Sequence, residues 1–459
     1  SSVTNAISFA NDGTLTLGQD GGTQTYNGGL TTTSVGGTVT LNGTIASSDD
    51  AVVLGAVTLG SATVIDTNST TTNRADITIA AVTGGNNTLT LTTENNVTGT
   101  DITASGNISG VTTLRLEDVG GTATFSGDVD IDTFLVGLIG NSVANLVFTG
   151  DGSTITNTFA PFNDGTITLG TDGGTQTFNG GLTMISSPAT GITLNGTIQS
   201  SNDQFVLINV TLASDTIIDT NATSSTGSIL INTVTGGNNN LTLSTGDNVN
   251  ANINMSIASQ ASSGIATLTL RDIGGKFFTD GNISATTLSV DNTVHDVSFT
   301  GGTNAFTNAV TFQNDGTLEL GNSASDTFTF NGGLTETTTG TVTLASTINS
   351  SNDAISFGAV TLGANTTIDT NASSTTGDLT LGVVTGGSNS LTLSTGNNIN
   401  NSDITASGNI SGVTTLTLAD VGGTATFSNS VAVGGFGANN TVANIIFTGS
   451  TNTFSAAST

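Results

Sequence analysis

The chain of 459 residues is longer than most single compact domains, only 8% of its residues are charged, and its formal net charge is −29 because 4 Lys and Arg stand against 33 Asp and Glu. Nucleic acid and anionic membranes are disfavoured as partners, since both bind through clustered basic side chains that neutralise phosphates. The sequence contains no Cys and no run of about 18 apolar residues, which excludes disulfides, thiolate metal sites and a transmembrane helix.

From the N terminus onward, short segments alternate apolar and polar residues. Examples are GTLTLG at 13–18, GTVTLNG at 37–43, NTLTLTT at 87–93 and VTTLRLED at 111–118. Such alternation predicts strands with one buried face, and the Gly-Gly, Asn-Gly and Asp-Gly pairs between them predict tight turns. Thr, Gly, Asn and Ser dominate where a helical protein carries Lys, Glu and Arg. We therefore predict an all-β chain without long helices.

The chain repeats itself at intervals of about 151 residues. TQTYNGGLT at 23–31 returns as TQTFNGGLT at 175–183 and as TFTFNGGLT at 327–335. Four columns of aspartates keep nearly the same interval: Asp12, Asp164 and Asp315; Asp50, Asp203 and Asp353; Asp66, Asp219 and Asp369; Asp118, Asp272 and Asp420. We predict three tandem units, 1–150, 151–301 and 302–459, in one continuous rod without separate domains.

A parallel β-helix, or β-solenoid, suits these units better than repeated β-sandwiches. The apolar segments are very short, aromatic residues make up only 5% of the chain, and Gly-rich breaks recur throughout. A coil of about 20 to 25 residues needs only small and β-branched residues to fill its narrow core. We expect Leu91, Leu243 and Leu391 to point inward. The aromatic of TQT(Y/F)NGG, at Tyr26, Phe178 and Phe330, is expected to fill the core, with an outward adhesive aromatic as the alternative.

Residues suited to catalysis are sparse, although β-helices also include carbohydrate-active enzymes. Hydrolases of that kind need paired carboxylates in a cleft. GDVDIDT at 127–133 puts Asp128, Asp130 and Asp132 on one strand face, which suits either an active centre or an ordinary solvated surface; we favour the surface and expect no enzymatic activity. His295 is the only His. Alternation puts His295 and Val297 on the face opposite Ser298, so we expect a surface residue and no local triad.

The aspartate columns sit beside Gly, Thr or Asn, where Asp stabilises turns by accepting backbone hydrogen bonds. Weak Ca²⁺ binding by stacked oxygens is the alternative, because this ion prefers oxygen ligands. The candidate ligands would be Asp50, Asp203, Asp353, Asp128, Asp130 and Asp132. We assign no other cofactor and no catalytic residue.

Several phrases resemble the repeat regions of large bacterial secreted surface proteins, namely filamentous haemagglutinin-like and autotransporter-type β-strand-repeat adhesins. The resemblance depends on four segments of the sequence, TQTYNGG, VTLNGTI, AVTLG and NSLTLSTG. The resemblance implies a right-handed parallel β-helix, secretion across the outer membrane, and adhesion or matrix formation. We therefore expect an extracellular stalk or fibre segment that continues head to tail. Its partners would be other copies, neighbouring repeats of a longer chain, or surface glycans. A carbohydrate-active enzyme and a glycan- or ice-binding module are the alternatives.

Overall fold

The computed structural model describes residues 1–70, 75–94, 97–137, 142–184, 191–224, 226–246, 250–255, 261–374, 377–396, 399–456 and 458. Within these ranges the chain forms 47 strands and no helix, as the composition predicted. The backbone divides into two compact units, Ser1–Ala222 and Thr223–Thr459. The division falls inside the second sequence repeat.

The first unit contains strands β1 to β20. They are β1 Ser2–Val3, β2 Ile7–Ser8, β3 Leu15–Leu17, β4 Thr23–Tyr26, β5 Leu30–Thr31, β6 Val39–Ala46, β7 Val52–Asp66, β8 Ile77–Thr92, β9 Ile102–Ala104, β10 Ile108–Glu117, β11 Val119–Phe125, β12 Val129–Val136, β13 Val143–Phe148, β14 Thr154–Ile155, β15 Ile167–Leu169, β16 Thr175–Phe178, β17 Leu182–Thr183, β18 Ile192–Gln199, β19 Phe205–Leu207 and β20 Val210–Asp219.

The second unit contains strands β21 to β47. They are β21 Ile229–Ile231, β22 Val234–Thr235, β23 Leu241–Ser244, β24 Ile253–Met255, β25 Ser262–Leu270, β26 Ile273–Thr279, β27 Ile283–Val290, β28 Val294–Phe299, β29 Thr303–Phe306, β30 Val310–Phe312, β31 Leu318–Leu320, β32 Thr327–Phe330, β33 Leu334–Glu336, β34 Val342–Leu344, β35 Thr347–Ser350, β36 Ile355–Phe357, β37 Val360–Leu362, β38 Thr366–Asp369, β39 Leu379–Leu381, β40 Val384–Thr385, β41 Leu391–Ser394, β42 Ile404–Ala406, β43 Ile410–Leu418, β44 Thr424–Phe427, β45 Val431–Ala438, β46 Asn444–Phe447 and β47 Asn452–Phe454.

Strands pair in parallel with strands one coil away, which confirms the β-solenoid. In the first unit one column of facing residues runs through Leu15, Val39, Val57, Val82, Ile108 and Val129, whose numbers differ by 24, 18, 25, 26 and 21. In the second unit the matching column is Leu318, Val342, Val360, Val384, Ile410 and Val431, with differences of 24, 18, 24, 26 and 21. The coils thus vary in length more than the sequence suggested, and they vary in the same order in both units.

Alternation places the core along the inner faces of the coils that have described neighbours on both sides. Tyr26 is 5% exposed, and Phe178 and Phe330 are fully buried, so the TQT(Y/F)NGG aromatic fills the core rather than the surface. Leu91, Leu243 and Leu391 also point inward, as predicted. Aromatic rings stack between coils. The ring centroids of Phe159 and Phe178 lie 5.5 Å apart in the first unit, and those of Phe306 and Phe330 lie 5.5 Å apart in the second.

Polar side chains tie each coil to the next at a recurring corner. The hydroxyl of Ser153 donates to the carbonyl of Gly150 (3.2 Å) and accepts the amide of Val129 (3.0 Å) on the preceding coil. In the second unit Asn304 makes the same two bonds, to Gly301 and from Ile283, and Asn452 makes them to Gly449 and from Val431. Buried amides and carbonyls that a corner would otherwise leave unpaired are satisfied in this way.

Candidate functional site

The aspartates proposed as calcium ligands lie at exposed turns. Asp50, Asp203 and Asp353 are all exposed. The main-chain carbonyl of each accepts a hydrogen bond from the serine hydroxyl three residues earlier, at Ser47, Ser200 and Ser350. Within the described ranges, no group of three or more His, Cys, Asp or Glu side chains is placed to hold a metal ion. The geometry of this column is that of a turn, with its carboxylates in solvent.

Two neighbouring columns also serve turns. The Oδ1 atoms of Asp66, Asp219 and Asp369 each accept the amide two residues ahead at 2.8 Å. Asp118, in the column with Asp272 and Asp420, has a φ of 47°, a left-handed conformation that Asp tolerates better than most residues. Burial raises the pKa of Asp66 and that of Asp118, and the negative charge of Glu94 raises both further. This corner of the first unit therefore carries mutually repelling carboxylates.

The second aspartate group borders a shallow groove in the first unit. Asp130 and Asp132 point outward from β12 and are exposed. Together with threonines of the adjacent coils, including Thr112 and Thr156, they line a volume of about 180 Å³. The sequence predicted this shared outward face. It did not predict the groove, because that depends on which coils lie side by side.

Two of these carboxylates hold the next coil in place. Asp128 Oδ1 accepts the amide of Gly152 at 3.0 Å, and Asp130 Oδ1 accepts that of Thr154 at 3.1 Å. The carboxylate of Asp132 stands in solvent beside the threonine hydroxyls. A general acid needs a carboxyl group shielded from water, and Asp132 lacks that shielding. The groove is suited to hydrogen-bonding a hydroxyl-rich ligand.

His295 is on the surface, as expected, but the prediction that His295 and Val297 share one strand face is wrong. Val294 and Val297 are both buried and His295 is exposed, because the pairing of β26 with β28 shifts register before Asp296. The Nδ1 atom of His295 lies 2.8 Å from Oδ1 of Asp315, and this hydrogen bond raises the pKa of the imidazole. Ser298 is buried and donates to Oε2 of Glu319 at 2.7 Å. The two side chains therefore have separate partners.

A buried carboxylate escaped the sequence analysis. Glu336 points into the core at the position that Thr32 and Met184 occupy in the other repeats. Its Oε2 accepts the amide of Gly358 at 3.0 Å, just as the Thr32 hydroxyl accepts that of Gly55 at 3.2 Å. Its Oε1 is buried and has no hydrogen-bond partner. The side chain thus accepts the amide at a bend between β36 and β37, and the Glu-for-Thr exchange between repeats was the only signal of it.

An exposed apolar surface lies on the last two strands that the structure describes. Strands β46 and β47, here called the open coil, expose Ile445 (37%), Ile446 (45%) and Phe454 (37%). Of the described strands, β46 pairs only with β44, and β47 pairs only with β45. Each therefore keeps one free edge of backbone amides and carbonyls, which is a template for a further strand.

Comparison with protein families, with curated proteins and with solved structures gives no match. A search for a helix that is long and apolar enough to cross a membrane found none among the described residues. The functional argument accordingly depends on the solenoid, its surface charge, the groove and the open coil.

Proposed function

We propose that the chain is a structural segment, a stalk or fibre, of a secreted bacterial surface protein. Its role would be in adhesion, biofilm matrix or extracellular filament formation. The observation that carries the proposal is the unbroken parallel pairing from coil to coil within each unit. Ladders such as β10 with β12 and β11 with β13 join one coil to the next through several strands at once. Tension along the stack is then shared by many hydrogen bonds, which suits a load-bearing role.

The surface chemistry supports the same role. A formal charge of −29 with few bases keeps parallel copies apart, and screening by cations would permit lateral contact. The partners in this proposal are other copies or neighbouring repeats of a longer chain, joined coil to coil. Surface glycans are a further class of partner. The location that fits a stalk of this kind is the cell exterior.

The groove at Asp130 and Asp132 favours a second candidate, a glycan-binding module. Carboxylates and threonine hydroxyls together can accept and donate hydrogen bonds to sugar hydroxyl groups. A carbohydrate-active enzyme is the less favoured form of this candidate, because both carboxylates are open to water. Glycan arrays with the full chain and with Asp132→Asn would distinguish binding at the groove from binding elsewhere.

Single-molecule pulling of the full chain between its termini tests the structural proposal. We expect extension in many small steps of about one coil each, since each coil contacts only its neighbours. Immunogold electron microscopy of the source cells should place the chain in surface fibres. Smooth extension at low force, or labelling confined to the cell interior, would overturn the proposal.

A further inference from the structure

The chain contains five Asn-Gly pairs, and they lie in two different structural settings. Three follow the aromatic of TQT(Y/F)NGG, at Asn27, Asn179 and Asn331, and two lie in the LNGTI segments, at Asn42 and Asn195. The first three are at turns after β4, β16 and β32, whereas the other two lie inside β6 and β18. The same dipeptide can therefore be compared in a turn and in a strand of one molecule.

The amide nitrogen of the glycine differs between the two settings. In the strands it is occupied, because the amide of Gly43 donates to Oγ of Ser61 and the amide of Gly196 donates to Oγ of Ser214, both at 3.3 Å. At the turns the corresponding amides donate to no group in the described part of the chain; they belong to Gly28, Gly180 and Gly332. Only the turn amides are therefore open to solvent chemistry.

The turn asparagines are held by their main chain and not by their side chains. The amide of Asn179 donates to the carbonyl of Ile155 at 2.8 Å, and the amide of Asn331 donates to that of Phe306 at 2.9 Å. Within the described ranges their carboxamides make no hydrogen bond, whereas the carboxamide of Asn195 donates to the carbonyl of Leu169 at 3.4 Å. All three repeats nevertheless carry Asn at this turn. No described contact within the coil accounts for the carboxamide.

Packing requires a glycine after each turn asparagine. A Cβ atom at Gly180 would lie 2.4 Å from the amide nitrogen of Thr158, and one at Gly332 would lie 2.4 Å from that of Ala309. Any other residue would force the neighbouring coil away, because glycine alone lacks a Cβ. Glycine is also the residue that least hinders attack by its own nitrogen on the preceding side chain. The fold thus fixes the most reactive neighbour beside each of these asparagines.

We propose that Asn27, Asn179 and Asn331 are sites of spontaneous deamidation. The main-chain nitrogen of the following glycine loses its proton to solvent and attacks Cγ of the asparagine, which closes a five-membered succinimide and releases ammonia. Water then opens the ring at either carbonyl, leaving aspartate or isoaspartate. The net reaction consumes one water and releases one ammonia, and nothing is oxidised or reduced. The reaction needs no enzyme and does not depend on the proposed fibre role.

Each conversion changes the surface of the solenoid. It adds one carboxylate to a chain whose formal net charge is already −29, at the same turn of each repeat, which increases the repulsion between parallel copies. Isoaspartate also lengthens the main chain by one methylene group beside a glycine that packs tightly on the preceding coil. The isoaspartate product therefore loosens this coil, whereas the aspartate product keeps its geometry.

Peptide mapping by mass spectrometry measures all five sites in one sample. The purified full chain is incubated for several weeks at mildly alkaline pH, where the deprotonated amide is more abundant. The chain unfolded in guanidinium chloride is the control, because all five pairs are then equally accessible. Ser61→Ala is the matched variant, since it removes the acceptor of the Gly43 amide and leaves the turn after Tyr26 as it was.

In the folded chain we expect the three turn sites to deamidate at least about tenfold faster than the two strand sites, which react only after local opening. In guanidinium chloride the five rates should agree within about twofold. Ser61→Ala should raise the rate at Asn42 and leave that at Asn27 unchanged. Equal rates at turn and strand sites in the folded chain would overturn the proposal, as would intact turn asparagines under conditions in which the unfolded chain reacts. An unchanged rate at Asn42 in Ser61→Ala would refute the control assigned to the glycine amide.

Discussion

Removing the ring of Phe330 should reveal how the core holds neighbouring coils together. The ring is fully buried. Its centroid lies 5.5 Å from that of the stacked Phe306 ring and 6.1 Å from that of Phe312, with which it packs edge to face. Phe330→Ala leaves a cavity that the coils close only in part, at a cost of about 3 to 5 kcal/mol. The lost ring pairs, worth about 0.5 to 1.5 kcal/mol each, place the expected cost in the upper half of that range.

Urea unfolding combined with hydrogen exchange would measure this cost. Because each coil contacts its neighbours only, faster exchange should concentrate in peptides spanning 303–350. Tyr26→Phe is the control at the matching position of the first repeat. It keeps the ring and loses only the hydrogen bond from the hydroxyl to Gln24 (2.7 Å), which costs about 1 kcal/mol. A cost for Phe330→Ala no larger than that of the control would refute the assignment of this aromatic to the core.

Four further changes have definite expected results. Asp118→Asn should raise the urea midpoint at pH 7 and have little effect at pH 3, because the raised pKa of Asp118 means that its charged form destabilises the fold, a cost that vanishes below its ordinary value of 3.8. His295→Ala should lower stability slightly at pH 5, by at most about 0.5 kcal/mol, and not at pH 9, since the raised pKa means that pairing with Asp315 stabilises only the protonated ring. Glu336→Thr should be tolerated in thermal melts, whereas Glu336→Leu should lower the melting temperature because the amide of Gly358, at the bend between β36 and β37, loses its side-chain acceptor. Millimolar Ca²⁺ should leave the melting temperatures of the native chain and of Asp50→Asn equally unchanged; a shift in the native chain alone would favour the metal site.

The sequence predicted the features that depend on local chemistry. Alternation identified the inward faces of Leu91 and Leu391, and the Gly-Gly turn after Tyr26 marked where a strand ends. Asp66 accepts a backbone amide at a turn, as its neighbours suggested. Each of these depends on residues within a few positions of one another.

The features that the sequence could not predict depend on which coils become neighbours. The pairing of β26 with β28 shifts register between Ile273 and Lys276, and counting along the chain, which cannot show this, misplaced Val297. Ile445 belongs to the same motif as Leu146, yet Ile445 is exposed and Leu146 is buried, because a strand covers Leu146 and none of the described strands covers Ile445. The groove beside Asp132 likewise combines residues from separate coils.

The matching order of coil lengths in the two units has a genetic consequence. The five coils between Leu15 and Val129 have nearly the same lengths, in the same order, as the five coils between Leu318 and Val431. Unequal crossing-over between the matching stretches of the gene would join two coil edges that already fit each other. A gene could then gain or lose a whole set of these coils in one step, and the encoded chain would still fold. Selection could change the number of such sets while every contact between neighbouring coils stayed the same.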